Sequence, residues 1–346
     1  MSNNNENDLP LLLPKVRDFV KNNYKNADKY FAYYTTADTA YKIIKNKEIW
    51  MRNSSLLNDY KEVKFGDEMV RRVLFDELKD ELENTLKSVE YDGGMEGFKD
   101  NYERMENDIL NNTFVLSLSR HSDEEDRLGR LSMWREYGRK NGVVFVFEKS
   151  ELLSILTNFS KVSLKNGYTA PFELLMPVFY LKDDDFSKEH FFKKQYSAVL
   201  NDIRENPSKY TSDEYSSPNA CGNELLLLAC ISTMHFKHLG FSEENEVRYI
   251  IASYTDGLGY FHTVDDSVKH NIVINGVPQT VYKVKLEDSC YENRLKWSNL
   301  IKQIIIGPNN PENAVSIKNT FFNLLSDDDS DFCKDKIVMS DIPVRL

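Results

Sequence analysis

Cysteine is scarce in this chain of 346 residues: Cys221, Cys230, Cys290 and Cys333 lie far apart and form no C-x-x-C pair. That excludes a disulfide framework and the usual structural zinc pairs, and it suits a reducing cytoplasm. Positive charge is also short, with 44 Lys and Arg against 55 Asp and Glu and a formal net charge of −11. General nucleic-acid or anionic-membrane binding is therefore not expected, because such surfaces need clustered basic groups. No stretch approaches the roughly eighteen apolar residues of a membrane span, the greasiest being Leu225 to Ile231. Met1 to Asp8 is polar and Asn-rich, without the basic and then apolar order of a signal peptide. Glycines never fall into G-x-G-x-x-G, a Walker loop or a G-x-S-x-G elbow, which disfavours Rossmann enzymes, P-loop NTPases and common hydrolases. The histidines show no H-E-x-x-H spacing, so no metal is expected; His235 and His238 are the one pair at helical spacing.

What is present is enough for a large core, with 41% hydrophobic and 12% aromatic residues. No linker or repeat divides the chain, so residues 1–346 are read as one α+β domain with helical insertions near 62–112 and 149–222. Strands are expected at Tyr30 to Thr35, Lys47 to Arg52, Thr113 to Ser119, Val143 to Phe147, Thr280 to Val284, Ile301 to Gly307 and Lys336 to Ser340, with a candidate edge strand at Val178 to Tyr180. Thr36 to Asp38 offers an N-cap to a helix over Thr39 to Asn46. Glu224 to Leu239 reads as one strongly apolar helix leading into a strand through Phe241 to Ile251.

That last strand carries the most chemistry. Alternation by twos sets Glu244, Glu246, Arg248 and Ile250 on one face and Val247, Tyr249 and Ile251 on the other. Two carboxylates beside a guanidinium suggest a cleft wall with an ion pair in it. The plain alternative is a solvated edge. Ser117 and Ser119 could be hydroxyls facing the same cleft or core groups bonded to backbone. Tyr33, Tyr34 and Thr35 could stack on and hydrogen-bond a planar ring, although aromatic strand residues more often pack. Asn58, Asp59 and Glu62 could form a polar latch, and turn chemistry explains the first two equally well. Trp134 and Tyr137 read chiefly as packing.

In order, Tyr33-Tyr34-Thr35, Asn58-Asp59-x-x-Glu62, Leu116-Ser-Leu-Ser119, Met133-Trp-x-x-Tyr137, Gly142-Val-Val-Phe, Glu244-x-Glu246-x-Arg248, Ile304-Ile-Ile-Gly307 and Ser340-x-x-Pro343-x-Arg345 resemble the bacterial family of domain of unknown function 2971. That family name implies no activity. A looser similarity, to ADP-ribosyltransferases, lies in an aromatic or polar residue on a first strand, a serine strand, and a late Glu-x-Glu strand. It implies a split, mostly antiparallel sheet and NAD as substrate. It also implies Tyr34 or Thr35 and Ser117 or Ser119 at the nicotinamide ribose and ring, Glu246 on a ribose hydroxyl, and Glu244 orienting an acceptor. The macromolecular acceptor is unidentified, and a toxin or antiviral effector would suit such an activity. Two departures stand out: the first motif lacks the expected His or Arg, and Arg248 sits where it could neutralise the glutamates. The alternative function is a non-catalytic recognition module of a defence system, binding a nucleotide signal or a partner protein in the same cleft.

Overall fold

The computed structural model describes residues 28–56, 60–138, 141–162, 171–182, 191–211, 219–255, 261–263, 266–274, 276–286, 295–308 and 311–343. Among them the strands are, in chain order, β1 (Tyr30–Thr36), β2 (Glu48–Asn53), β3 (Thr113–His121), β4 (Gly142–Glu148), β5 (Phe172–Pro177), β6 (Phe179–Leu181) and β7 (Phe236–His238), then β8 (Glu246–Ala252), β9 (Tyr254–Thr255), β10 (Phe261–His262), β11 (Lys269–Ile274), β12 (Val277–Lys285), β13 (Ile301–Ile306) and β14 (Ile337–Met339). Ten of these join one mixed sheet, in the order β11-β12-β2-β3-β1-β4-β13-β14, with β8 on the other edge of β3 and β5 beyond β8. Within that sheet every pairing is antiparallel except β13 with β14.

Why β4 is central follows from its composition. Val143 to Phe147 are all 0% exposed, with Val143, Phe145 and Phe147 in the core on one face and Val144 and Val146 in a smaller core on the other. A strand buried on both faces reads as an unbroken apolar run instead of an alternating one. Helices cover both faces. Ala37–Asn46, Lys149–Val162 and Pro311–Asp328 pack against the face that carries Ile49, Met51, Phe114, Leu116 and Tyr249. The helices Tyr60–Arg71, Lys79–Ser88, Gly94–Asn111, Phe191–Glu205 and Ala220–Ser232 bury the half of the other face around Val115, Leu174 and Ile250.

The feature that matters for a site is a fork. On one edge β3 pairs with β2 only through Val115 and Phe114, and with β1 only through His121, Arg120 and Ser119. Between those two contacts β1 turns away along β4 and β2 turns away along β12. Leu116, Ser117 and Leu118 are thus left at the apex of a split in the sheet, while the far edge of β3 stays fully zipped to β8 from Thr113 to Ser119. The expected split, mostly antiparallel sheet is present.

Three sequence expectations need correction here. The helix over Glu224 to Leu239 ends at Ser232, and Thr233–His235 is a 3-10 turn feeding β7. His235 and His238 therefore do not share a helical face. The strand over Phe241 to Ile251 starts only at Glu246, because Leu239–Glu244 winds into a 3-10 turn and Asn245 takes a left-handed conformation at φ 46°. Asn tolerates that region better than most residues, which lets the turn stop there. Glu244 is consequently off the strand. The segment 149–222 contributes β5 and β6 as well as helices.

Candidate ligand cavity

A cavity of about 420 Å³ opens in the fork, bordered by β1, the start of the following helix, β2, the middle of β3 and the charged end of β8. Strand alternation and register decide which side chains meet there. Ser117 stands opposite Arg248, and Ser119 opposite both Glu246 and Ala32. Ser117 is exposed although its neighbours Leu116 and Leu118 are buried, because the cavity lies directly above it.

Five charged groups form the cavity wall behind the serines. Glu246 accepts from Arg248 Nε at 2.7 Å and Nη2 at 3.0 Å, and lies 3.3 Å from Lys237 Nζ. Arg248 also reaches Glu62 at 2.8 Å and donates to the Met234 carbonyl. Lys237 bridges Glu62 at 2.8 Å and Glu244 at 2.5 Å. All five are at most 12% exposed in their side chains, so each depends on its partners for its charge. Burial alone would raise the Glu246 pKa, but Arg248 and Lys237, with a hydrogen bond from Ser117, hold it at about 2. Glu244 differs: burial raises its pKa, and Lys237 only partly offsets that. Burial works to discharge Lys237, and Glu246 and Glu62 overcome it, keeping its pKa above the ordinary value. The wall thus pairs a carboxylate fixed as an anion with one biased towards its protonated form.

Local structure explains how these groups converge. Gly66 follows Glu62 by one helical turn, and a Cβ there would stand 1.8 Å from the Thr233 carbonyl oxygen. The missing side chain lets the Tyr60–Arg71 helix sit directly on the 3-10 turn before β7, bringing Glu62 to Lys237 and Arg248. Tyr180 on β6 takes the Glu246 backbone N–H at 2.8 Å. Arg130 donates to the Glu244 carbonyl at 2.8 Å and to Glu125 Oε1 at 2.9 Å, anchoring the displaced turn.

The candidate residues sort as follows. Glu244, Glu246, Arg248, Ser117, Ser119, Tyr33, Tyr34 and Thr35 all border the one cavity. Asn58, with Asp59, lies outside the described residues. Tyr34 is fixed as a packing residue, its hydroxyl accepting from the Arg130 backbone at 2.9 Å and its ring edge-on to Trp134. Tyr33, whose pKa burial raises against the pull of Arg52, packs on the opposite face of the sheet and reaches the cavity through the fork. Thr35 and Ser119, 9% and 3% exposed, are the buried hydroxyls on the lining.

Trp134 is packing, as read from the sequence. Its indole fills a slot whose walls are glycines: a Cβ at Gly142 or Gly307 would come 3.0 Å from Cε3. His235 is fully buried, shares a hydrogen bond with the Ile231 carbonyl, and has its pKa pushed down to about 3 by burial and then Arg248. It is a neutral core residue. Sequence reasoning missed Lys237, Arg52 and Trp50 as cavity residues. Lys237 lay hidden inside an assumed helix, and Trp50 and Arg52 alternate with the buried Ile49 and Met51, a signal that was legible.

A family model described as protein of unknown function (DUF2971) matches residues 133–249. Over that stretch the chain is similar to the DUF2971 family. The matched part carries Trp134, Lys237, Glu244, Glu246 and Arg248, whereas Ser117, Ser119 and Glu62 lie outside it. No curated protein and no solved structure matches the chain. Among the described residues, no helix is long and apolar enough to cross a membrane, and no three His, Cys, Asp or Glu side chains gather as metal ligands.

Proposed function

We propose that the cavity binds NAD and cleaves its nicotinamide–ribose bond, passing ADP-ribose to an acceptor or to water. The observation that carries this reading is the register of β3 against β8, which sets Ser117 and Ser119 beside Arg248 and Glu246 at the floor of one open cavity. In such a reaction the C1′–N bond breaks with its electron pair going to the ring nitrogen, which discharges the pyridinium. Positive charge then develops on the ribosyl carbon, and an acceptor oxygen adds there and loses its proton. A carboxylate held ionised through the whole ordinary pH range is suited to facing that charge. Glu244, with its raised pKa, is suited to taking the acceptor proton. Arg52, on the same cavity, supplies a cation for the pyrophosphate.

Four donors already fill the Glu246 carboxylate: Arg248 twice, Lys237 and Ser117. Its role is accordingly that of a fixed counter-charge, and the ribose hydroxyls fall to Ser117 as acceptor and to Glu244. The test is release of nicotinamide from labelled NAD by the full chain. Glu246→Gln is expected to reduce it at least a hundredfold and Glu244→Gln less; no release across a panel of acceptors ends the enzymatic reading. The same saturation of Glu246 favours a second reading, in which the cavity recognises a nucleotide without turning it over. A rise in melting temperature with NAD, together with no nicotinamide release, is the outcome that selects it.

A further inference from the structure

We infer that Trp50 is the platform for the second base of the dinucleotide, the adenine, and so sets which nucleotides the cavity accepts. The inference rests on the dinucleotide reading above and adds a residue that neither the serine strand nor the glutamate strand suggests.

Trp50 borders the cavity from β2 and is half-buried. Its neighbours Ile49 and Met51 are fully buried in the core on one face of the sheet, so Trp50 and Arg52 project from the other. Arg52 is in register with Val115, which places both side chains on the face that also carries Ser117 and Ser119. The indole is held from behind. Its N–H donates to Glu48 Oε1 at 3.0 Å, Glu48 is bound in turn by Lys285 at 2.7 Å, and the Lys283 ammonium lies 5.3 Å from the ring centroid. With its one donor used internally, the indole offers the cavity only a π face. Ile274, at the tip of the β11–β12 hairpin, borders the same space and supplies an apolar wall. A fixed aromatic plate beside an aliphatic side chain is a slot for a flat, uncharged base.

Position says which base. Trp50 is separated from β8 by β3, and because β2 leaves β3 beyond Arg52, its backbone stands at least two interstrand spacings, about 10 Å, from that of Glu246. Nicotinamide is bonded directly to the carbon where Glu246 would act, which keeps it at the β8 end of the cavity. The other base of NAD can, because a pyrophosphate and two riboses intervene. Arg52, two residues along β2 from Trp50, is then adjacent to the phosphates between them.

Intrinsic fluorescence reads this directly. The chain has three tryptophans, and Trp134 and Trp297 are both 0% exposed, so quenching by a ligand in the cavity reports on Trp50. Titrations of the full chain with AMP, ADP-ribose and nicotinamide mononucleotide are compared for the wild type, Trp50→Leu and Trp50→Phe. AMP and ADP-ribose are expected to quench the wild type strongly and nicotinamide mononucleotide weakly. Calorimetric affinity for AMP should fall about tenfold or more in Trp50→Leu and be largely kept in Trp50→Phe. If NAD is turned over, KM should rise in Trp50→Leu with kcat little changed. Quenching by nicotinamide mononucleotide but not by AMP, or an AMP affinity indifferent to Trp50→Leu, overturns the inference and leaves the cleavage reading untouched. Trp50-dependent AMP binding without NAD cleavage does the reverse: the base platform stands and the reaction falls. No binding of AMP or ADP-ribose at all also overturns it.

Discussion

Replacing Arg248 with Met tests whether the charged wall is a mutually dependent unit. The guanidinium, 2% exposed, is withdrawn from two contacts to Glu246, one to Glu62 and one to the Met234 carbonyl. Three buried carboxylates would then share Lys237 alone. Breaking a buried pair from one side costs about 3–5 kcal/mol, a large part of the 5–15 kcal/mol that typically holds a folded protein together. The pH dependence carries the sign. In the wild type the Glu246 pKa falls from 4.5 unfolded to about 2 folded. Its contribution is therefore complete above pH 4.5 and is lost as pH falls towards 2. Without Arg248, burial dominates and the folded pKa rises above 4.5, so the variant's deficit against the wild type should shrink as pH falls from 7 towards 5. Urea midpoints at pH 7.5 and pH 5.0, with slopes checked for equality, measure both effects. A deficit below about 1 kcal/mol at pH 7.5, or one that does not shrink at pH 5.0, would refute the argument. Adding Glu246→Gln to Arg248→Met should recover part of the loss, because the double variant leaves one fewer unpaired charge.

Gly66→Ala would force the Tyr60–Arg71 helix off the Thr233 carbonyl, where the added carbon would otherwise come within 1.8 Å. It should cost about 3 kcal/mol or more and, by moving Glu62, weaken cavity ligands as well; a melting temperature equal to the wild type would contradict the packing argument. His235, with its folded pKa near 3 against 6.5 unfolded, stabilises fully above pH 6.5 and loses that contribution as pH falls from 6.5 towards 3. His235→Leu should flatten the stability profile between pH 7 and 5, and an unchanged slope in urea titrations across that range would count against a neutral buried imidazole.

Much of the fold was legible because its signals are local. Val143 to Phe147 is an apolar run short enough to read as a central strand, and Thr36 caps the next helix, its hydroxyl accepting from Thr39 N–H at 3.3 Å. Glu246 and Arg248 were read as sharing one face of their strand, as they do, whereas Ser117 and Ser119 were left between cleft and core. That those strands are neighbours depends on pairing across more than 120 residues, which alternation does not encode. The course of residues 233–245 was misread for a related reason. Helical spacing does continue through His235 and His238, and what stops the helix is tertiary: Phe236 pairs with Phe179 on β6, and Lys237 is drawn to three carboxylates from other elements. Phe172 to Pro177 was missed as a strand: among the described residues it pairs with β8 alone, a distant partner that local alternation does not reveal.

The saturated state of Glu246 turns the choice between catalysis and recognition into a question of sign. The wall holds three carboxylates and two cations, so removing Lys237 makes it more negative by one charge. If the cavity stabilises a developing ribosyl cation, Lys237→Met should help that transition state once the protein is folded. A unit charge at roughly 7 Å contributes about 2 kcal/mol at an effective dielectric near 20, enough for a severalfold rise in kcat for nicotinamide release even after partial reprotonation of Glu244. If the cavity instead recognises the phosphates of a nucleotide, the same change removes attraction, and affinity should fall by a comparable factor with no turnover to gain. Circular dichroism first establishes that Lys237→Met is folded; kcat and calorimetric Kd for NAD are then measured together. A fall in kcat at unchanged Kd would mean that Lys237 acts on the reaction directly, and the assignment of Glu246 as the stabilising counter-charge would be wrong.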